Sequence, residues 1–336
     1  MKIVYTETPA TIRLDHSWDF SLLPEEAVPS VALYIPDEPL DSDTNKKFIA
    51  DVEDADIIIN NYVYYGPELL DKLKFCKIIS QKSTGYNFAD LDYAREKGIA
   101  IASIRDYCTQ ETAENAIASM LCLQRNTINF NSDIQEKHIW DYLAYPHMQR
   151  IEGQTMSIIG FGRIGQHVGR IAKGLGMRVL AFDPFLPPEV ALAQGVELVD
   201  FDTALELGDV ISVHMNLTAE NRGMFNKDTF LKMKRHPIFI NEGRGEMVDE
   251  EALDWALTEG VVRGAGLDML ESEDPDLENC VLLRGERRKN LIITPHSGFK
   301  SDTSDYLIRK YAIDNAINYF YGRYDEVYDI RNNCRA

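Results

Sequence analysis

The sequence predicts an α/β protein built from two doubly wound parallel-sheet domains, one inserted into the other. Three observations support this fold class. Short apolar, β-branched segments alternate with segments of helical length along most of the chain. A glycine-rich turn at 160–165 follows one of these apolar segments near the middle of the 336 residues. A helical segment with capping residues at both ends, 301–322, follows the last apolar segment.

Five short apolar segments in the first hundred residues predict the strands of the first domain. They are KIVYT (2–6), VALYI (31–35), ADIIINN (55–61), CKIIS (76–80) and GIAIAS (98–103). Such strands, separated by helix-length segments, are typical of a parallel sheet covered on both faces. The helix between the second and third strands is predicted to lie in the segment 42–54. No secondary structure is predicted for residues 8–29.

The elements of the second domain begin with a single helix predicted at 109–130 from its apolar periodicity. Helices are also predicted at 163–176 and 250–260, and strands at 155–160, 177–183, 209–215, 238–243, 264–269 and 290–296. Because the glycine turn lies mid-chain and no linker or repeat is visible, the two domains are expected to be nested. Residues 1–104 and 299–336 would form one domain, with 105–298 inserted as the other.

Composition narrows the possible partners and the compartment. The net charge is −19, from 35 basic and 54 acidic side chains, and this field repels nucleic acid and anionic lipid. The five cysteines are widely spaced without a CxxC pair, which indicates reduced thiols and no metal site. The first residues, MKIVYTETPA, contain too short an apolar run for a signal peptide, and no segment has the length of a membrane span. We therefore expect a cytoplasmic protein without a nucleic-acid or membrane partner.

The stretch IIGFGRIG (158–165) has the spacing of a dinucleotide-binding turn. Gly160 would make the tight bend, Gly162 would let a pyrophosphate approach the backbone, and Gly165 would allow the helix to pack closely on the strand. The following helix would point free N–H groups at the phosphates. Asp183, at the end of the next predicted strand, can accept both ribose hydroxyls and would repel a 2′-phosphate, which favours NAD over NADP. Similar turns bind FAD or S-adenosylmethionine, so the turn leaves the chemistry open.

Four further stretches carry a family resemblance. With IIGFGRIG, the segments 83–99, 241–253, 264–275 and 293–299 resemble, in order and spacing, the D-isomer-specific 2-hydroxyacid dehydrogenases. The resemblance implies a Rossmann NAD-binding domain inserted into a flavodoxin-like substrate domain. It also implies NAD-dependent, reversible reduction of a 2-oxo acid to a D-2-hydroxy acid, and a homodimer.

Three residues match the catalytic residues of that family. Arg244, in NEGRG, would clamp the carboxylate and carbonyl of the 2-oxo acid with its planar guanidinium. His296, in TPHSG, would exchange a proton with the substrate oxygen. Glu273 would pair with the imidazole, with Glu271 or Asp274 as alternatives in the same acidic run. Of the other histidines, His214 is expected to pack near the cofactor, and the remaining five are expected to be structural or on the surface: His16, His138, His147, His167 and His236.

The same matching implies binding residues. Those near the cofactor would be Gly160, Gly162, Arg163, Ile164, Gly165, Asp183, Met215, Asn216, Asn221, Glu242, Gly243 and Asp268. Those near the substrate would be Ser83, Thr84, Gly85 and Tyr107, with Arg244 as the clamp and Lys82 as a helper. Two alternatives stay open: a dehydrogenase for a phosphorylated or phosphonate-like hydroxy acid, and a nicotinamide-sensing binding protein similar to the corepressors of this superfamily.

Overall fold

The computed structural model describes residues 1–85, 88–104, 106–272, 275–285 and 288–334. It divides into two compact units, one of residues 1–107 with 301–336 and the other of residues 108–300. Each unit contains one parallel β-sheet with helices packed against it. The predicted fold class, two parallel α/β sheets, is confirmed.

The elements are numbered in chain order. The strands are β1 (Lys2–Glu7), β2 (Val28–Leu33), β3 (Ile57–Asn60), β4 (Ile78–Gln81), β5 (Ala100–Ala102), β6 (Thr155–Ile159), β7 (Arg178–Phe182), β8 (Glu197–Leu198), β9 (Val210–Val213), β10 (Ile238–Asn241), β11 (Gly264–Leu267) and β12 (Leu291–Ile293). The α-helices are α1 (Ser17–Ser21), α2 (Asp43–Val52), α3 (Pro67–Leu70), α4 (Leu91–Glu96), α5 (Thr109–Arg125), α6 (Thr127–Lys137), α7 (Arg163–Gly174), α8 (Pro188–Ala193), α9 (Phe201–Leu207), α10 (Lys227–Leu231), α11 (Glu250–Thr258) and α12 (Asp302–Phe320).

The smaller unit has a sheet in the order β2-β1-β3-β4-β5. Ile57, Ile58 and Ile59 of β3 have at most 1% of their surface exposed, as expected for an inner strand covered on both faces. The strand predicted at 31–35 instead covers Val28–Leu33, because these six residues pair in register with Lys2–Glu7. The last helix, α12, packs on β3 and β4 and begins with a capping box between Ser301 and Ser304.

The larger unit has a sheet in the order β12-β11-β10-β9-β6-β7-β8. The strand order reverses at β6, because the chain adds β7 and β8 on one side of it and β9 to β12 on the other. The crevice outside the carboxyl ends of the strands at such a reversal is where open α/β sheets bind ligands. The glycine turn, which directly follows β6, lies at this position.

The single helix predicted at 109–130 is wrong. Helix α5 ends at Arg125, Asn126 adopts a left-handed conformation with φ +50°, and α6 continues to Lys137. Asparagine tolerates this conformation better than most residues. The apolar periodicity continues across the break, so the pattern that predicted the helix could not reveal its interruption.

Membrane-spanning helices and clusters of metal-binding side chains are both absent from the described part of the chain. Among the described residues, no helix combines the length and the apolar character required to cross a bilayer. Within the same ranges, no group of three or more histidine, cysteine, aspartate or glutamate side chains is arranged to hold a metal ion.

Candidate active site

The glycine turn connects β6 to α7, and its three glycines occupy different environments. A Cβ on Gly160, which has φ +93°, would lie 2.9 Å from the backbone of His214 and Met215. A Cβ on Gly165 would lie 2.2 Å from the carbonyl oxygen of Gly160. Gly162 is exposed, and nothing lies within 4 Å of an added Cβ. Two glycines are therefore required by packing, whereas Gly162 keeps the backbone open at the start of α7.

Open space at Gly162 and an uncapped helix are what a pyrophosphate requires. Among the described residues, no side chain caps the N-terminus of α7, a helix of 12 residues, and the N-terminus of such a helix favours an anion. Arg163 is exposed and Ile164 is half-buried at this end of the helix. The residues present at the turn thus fit a dinucleotide.

Asp183 follows β7 and is fixed against the turn. One carboxylate oxygen accepts a hydrogen bond from the Phe161 N–H at 2.9 Å, and the other accepts from the Phe185 N–H at 3.0 Å. The side chain is half-buried. A carboxylate held directly beside the glycine turn suits the recognition of ribose hydroxyls.

The loop after β9 is folded by one of its own side chains. Asn221 accepts a hydrogen bond from the Thr218 N–H at 2.7 Å and donates to the Asn216 carbonyl at 2.8 Å. Asn221 therefore shapes the loop that contains Asn216, itself exposed, and the half-buried Met215. Desolvation lowers the pKa of His214 to about 3, so this imidazole stays neutral and is not a second acid.

The segment after β10 presents Arg244 on a tightly fixed turn. The fully buried Asn241 accepts a hydrogen bond from the Gly243 N–H and donates to the Arg244 carbonyl, both at 3.0 Å. A Cβ on Gly245 would lie 1.8 Å from the Leu270 carbonyl oxygen, so this turn lies directly against the next loop. Asn241 is the first residue of the NEGRG motif, but the motif alone does not indicate that its side chain fixes the turn.

The Arg244 side chain is half-buried and carries no carboxylate partner among the residues that the structure describes. Its Nη1 donates to the Gly243 carbonyl at 2.9 Å and lies 4.0 Å from the sulfur of Met269. Burying a guanidinium without a counter-charge is costly. An anionic ligand would supply the missing charge.

Asp268, after β11, organises the loop that carries His296. Its carboxylate accepts hydrogen bonds from the Thr294 hydroxyl at 2.5 Å, the Ser297 N–H at 2.9 Å and the Gly298 N–H at 2.8 Å. The His296 N–H donates to the Asp268 carbonyl at 2.7 Å, and His296 has φ +48°. Asp268 is 3% exposed, and it holds the half-buried His296 at the same sheet edge as Arg244.

Glu242 is a buried carboxyl group at this edge. It is 6% exposed, and the Asn115 side chain of α5 donates to its two oxygens at 3.0 and 3.2 Å. A Cβ on Gly298 would lie 2.7 Å from a Glu242 oxygen and 2.8 Å from an Asp268 oxygen, so the two carboxyl groups are neighbours. Burial and the charge of Asp268 raise the pKa of Glu242 to about 8, although the Asn115 hydrogen bond opposes the shift.

The predicted histidine partner, Glu273, lies outside the described residues, as does the alternative Asp274. The other alternative, Glu271, is exposed, and its N–H donates to a Glu250 carboxylate oxygen at 2.8 Å.

The predicted substrate residues follow β4 and β5 of the smaller unit. The Ser83 hydroxyl donates to the Gly85 carbonyl at 2.7 Å, which closes the turn around the exposed Thr84. Tyr107 is 9% exposed. Lys82 is 4% exposed, and burial lowers the pKa of its ammonium group against the opposing charges of Glu7 and Asp19.

His16, expected to be structural or on the surface, lies in a buried cluster of charged groups. It is buried, and its two ring nitrogens lie 3.0 Å from carboxylate oxygens of Glu7 and Asp19. Burial alone would lower the pKa of His16, but the hydrogen bonds to Asp19 and Glu7 outweigh burial and raise it. Glu7 lies at the end of β1, and Asp19 lies in the segment 8–29, for which the sequence predicted no structure. No local sequence motif therefore indicated this cluster.

Comparisons with known proteins agree with this geometry. Residues 117–298 match the family model described as "D-isomer specific 2-hydroxyacid dehydrogenase, NAD binding domain". The chain is 35% identical over 278 residues to hydroxypyruvate reductase of Blautia hydrogenotrophica, covering 81% of this chain and 83% of that protein. It is 32% identical over 286 residues to glycerate dehydrogenase of Methylorubrum extorquens, covering 83% and 87%.

A solved structure extends the likeness to nearly the whole chain. D-lactate dehydrogenase from Aquifex aeolicus, complexed with NAD and lactic acid, superposes with a TM-score of 0.80 at 25% identity, covering 98% of this chain and 99% of that one. The predicted cofactor, NAD, and the predicted enzyme class are thereby confirmed. The chain belongs to the D-isomer-specific 2-hydroxyacid dehydrogenases, a family of NAD-dependent oxidoreductases.

Proposed function

We propose that this enzyme reversibly reduces a small 2-oxo acid to the D-2-hydroxy acid with NADH. The observation that carries the proposal is the half-buried guanidinium of Arg244, which has no carboxylate partner among the described residues and stands on a turn fixed by Asn241. A 2-oxo acid presents a carboxylate and a carbonyl oxygen side by side. Arg244 would bind both oxygens in a fork and thereby orient the carbonyl carbon.

His296 is the proposed acid–base group. The substrate oxygen requires a proton during reduction and loses one during oxidation, and imidazole exchanges protons near neutrality. The hydrogen bonds from Thr294, Ser297 and Gly298 to Asp268 fix the loop on which His296 stands. Glu273 stays the proposed carboxylate partner that would keep the imidazole protonated before reduction.

NAD, when bound, supplies or accepts the hydride at the substrate carbon. The residues proposed to hold it are the glycine turn with Arg163 and Ile164, Asp183 at the adenosine ribose, and the ends of β9, β10 and β11. Gly160 and Gly165 keep the turn tight, and Gly162 leaves its backbone open. Asp183 would disfavour a 2′-phosphate.

The units are assigned different roles. We propose residues 105–298 as the NAD-binding domain and residues 1–104 with 299–336 as the substrate domain. Ser83, Thr84 and Gly85 of the substrate domain stay proposed substrate-binding residues, as does Tyr107, which lies just beyond the boundary at 104. Alanine variants of each would test them through KM for the oxo acid.

A homodimer is also proposed, formed through the larger unit. The segment around α6 exposes large apolar side chains, including Trp140 at 88% and Tyr142 at 81%. Exposed apolar surface of this kind marks protein contacts. Light scattering should give the mass of a dimer for the wild type and the mass of a monomer for a Trp140→Ser, Tyr142→Ser variant. A cytoplasmic location is proposed because none of the five cysteines, all of them described, takes part in a disulfide.

The experiment that tests the function measures NADH oxidation across a panel of 2-oxo acids. Hydroxypyruvate and pyruvate come first, since relatives named for hydroxypyruvate, glycerate and D-lactate match the chain. Phosphohydroxypyruvate, glyoxylate and branched or aromatic oxo acids follow, with NADPH in parallel. Turnover of one acid to a product that chromatography on a chiral phase identifies as the D-isomer supports the proposal. An L-product, or tight NADH binding without turnover of any acid, contradicts it.

A further inference from the structure

The buried carboxyl group of Glu242 lies at the part of the sheet edge where the reacting groups are placed. Asp183 stands after β7, on one side of the glycine turn, whereas Arg244, Asp268 and His296 follow β10, β11 and β12 on the other. A dinucleotide whose adenosine ribose meets Asp183 and whose pyrophosphate meets the turn therefore directs its nicotinamide toward the ends of β10 to β12. Glu242 lies between Asn241 and Gly243 at that end.

Among the described residues, the groups that act on Glu242 include no positive charge. Helix α5 contributes Asn115, a neutral donor, and the loop after β11 contributes the negative charge of Asp268. The 294–298 loop places Gly298 against it, while the ring of His296, the titratable residue of that loop, contacts Phe299. On its own loop, the Arg244 guanidinium contacts the Gly243 carbonyl and Met269.

The nicotinamide ring changes charge during the reaction. It is a cation in NAD⁺ and neutral in NADH, whereas most other parts of the cofactor keep their charge. A buried carboxylate beside the ring would attract the cation strongly, because interactions between charges are less screened away from water. A neutral carboxyl group has no such preference.

We propose that Glu242 is a redox-linked proton site, which carries a proton in the NADH complex and releases it to solvent in the NAD⁺ complex. This inference rests on the cofactor orientation proposed above. It makes Glu242 a determinant of the relative affinity for the two cofactor forms, with NAD⁺ favoured as the pH rises.

The direction in which pH changes the NAD⁺ affinity follows from the charges involved. The pKa of Glu242 is raised to about 8 by burial and by Asp268, so near pH 7 the group is mostly protonated. A positive charge beside it lowers the pKa, so NAD⁺ binding drives the proton off. If NAD⁺ binding lowers the pKa of Glu242 by one unit, the affinity for NAD⁺ is about tenfold higher at high pH than at low pH.

The test measures dissociation constants of NADH and NAD⁺ from about pH 6 to about pH 9.5, by fluorescence and by competition. In the wild type, the ratio of the NAD⁺ constant to the NADH constant should fall about tenfold across this range. In Glu242→Gln the fall should disappear. Glu246→Gln, a matched control on the same loop whose carboxylate faces Arg222, should behave as the wild type.

Two further measurements keep the test decisive. Calorimetry in buffers of different ionisation enthalpy should show proton release on NAD⁺ binding near pH 7.5, and Glu242→Gln should reduce this release. Asn115→Ala removes the donor that favours the carboxylate and should move the midpoint of the wild-type curve to higher pH, an effect that loss of packing would not produce.

The outcomes separate the two proposals. A pH-independent ratio in the wild type, or the same pH dependence in Glu242→Gln, overturns the role of Glu242 while leaving the dehydrogenase assignment intact. Failure of the wild type to bind NADH at any pH overturns both.

Discussion

Replacing Asn241 with alanine is expected to impair catalysis by displacing the Arg244 guanidinium, although the Asn241 side chain bonds only to the backbone of Arg244. The substitution removes two hydrogen bonds of 3.0 Å, one from the Gly243 N–H and one to the Arg244 carbonyl. The buried N–H of Gly243 would then lack a partner, at a cost of about 1–3 kcal/mol. Water can partly replace the bond to the carbonyl of the half-buried Arg244, so the total loss of stability should be about 2–4 kcal/mol.

The effect on activity follows from orientation. A misplacement of about 1 Å in a substrate clamp can lower the rate about a hundredfold. We therefore expect kcat/KM for the best 2-oxo acid to fall about a hundredfold in Asn241→Ala. Asn241→Asp keeps the acceptor for the Gly243 N–H but loses the donor to the Arg244 carbonyl, and should lie between the wild type and Asn241→Ala.

A matched control separates stability from positioning. Asn129 is also buried in the larger unit, and its side chain donates to the Lys289 carbonyl at 2.7 Å and to Asn126 at 3.0 Å. Asn129→Ala should lower the free energy of unfolding by a similar amount, measured in urea, yet leave kcat/KM of the folded enzyme near the wild-type value. If Asn241→Ala loses stability but keeps full activity, the reasoning that connects Asn241 to the clamp is refuted.

Three more substitutions test separate parts of the account. Gly165→Ala should destabilise the protein by at least about 1–3 kcal/mol, since its Cβ would meet the Gly160 carbonyl at 2.2 Å; urea unfolding measures this, and an unchanged midpoint would contradict the packing argument. Asp183→Ser should weaken NADH binding and raise the relative use of NADPH in steady-state assays, and unchanged cofactor preference would remove the proposed role of this carboxylate. His16→Gln should destabilise the protein more at about pH 6 than at about pH 8.5, because a raised pKa contributes stability that is present below the unfolded value of about 6.5 and is lost as the pH rises through the folded value. An equal loss at both pH values would show that His16 does not titrate with folding.

The sequence was sufficient for the parts of the structure that depend on local pattern. Apolar runs of strand length predicted both parallel sheets, and the spacing of Gly160, Gly162 and Gly165 predicted the turn after β6. These features depend on the residues that form them and on their immediate neighbours in the chain, so the local sequence is enough to predict them.

Other features depended on contacts between distant residues. His16 pairs with Glu7 and Asp19 only after the segment between them folds, and its burial is not visible in the composition of that segment. Burial raises the pKa of Glu242, the charge of Asp268 in the loop after β11 adds to the shift, and the hydrogen bond from Asn115 on α5 opposes it. The sequence placed Glu242 near the cofactor, but its proton depends on tertiary packing.

The break at Asn126 shows a third limit. A single residue, Asn126 with φ +50°, separates α5 from α6, although the apolar pattern continues into α6. Asparagine permits this conformation without requiring it. The burial of Asn129, Ser132 and Asp133 in α6 is a property of the folded chain that the apolar pattern does not contain.

The most direct test of the central claim compares Arg244→Ala with the wild type on the best 2-oxo acid, with NADH affinity measured in parallel. If Arg244 clamps the substrate, kcat/KM falls at least about a hundredfold while the dissociation constant of NADH changes by no more than about threefold. Arg244→Lys, which keeps the charge but loses the planar fork, should recover only part of the loss. Near-normal turnover in Arg244→Ala would contradict the assignment of the clamp and the proposed mechanism that depends on it.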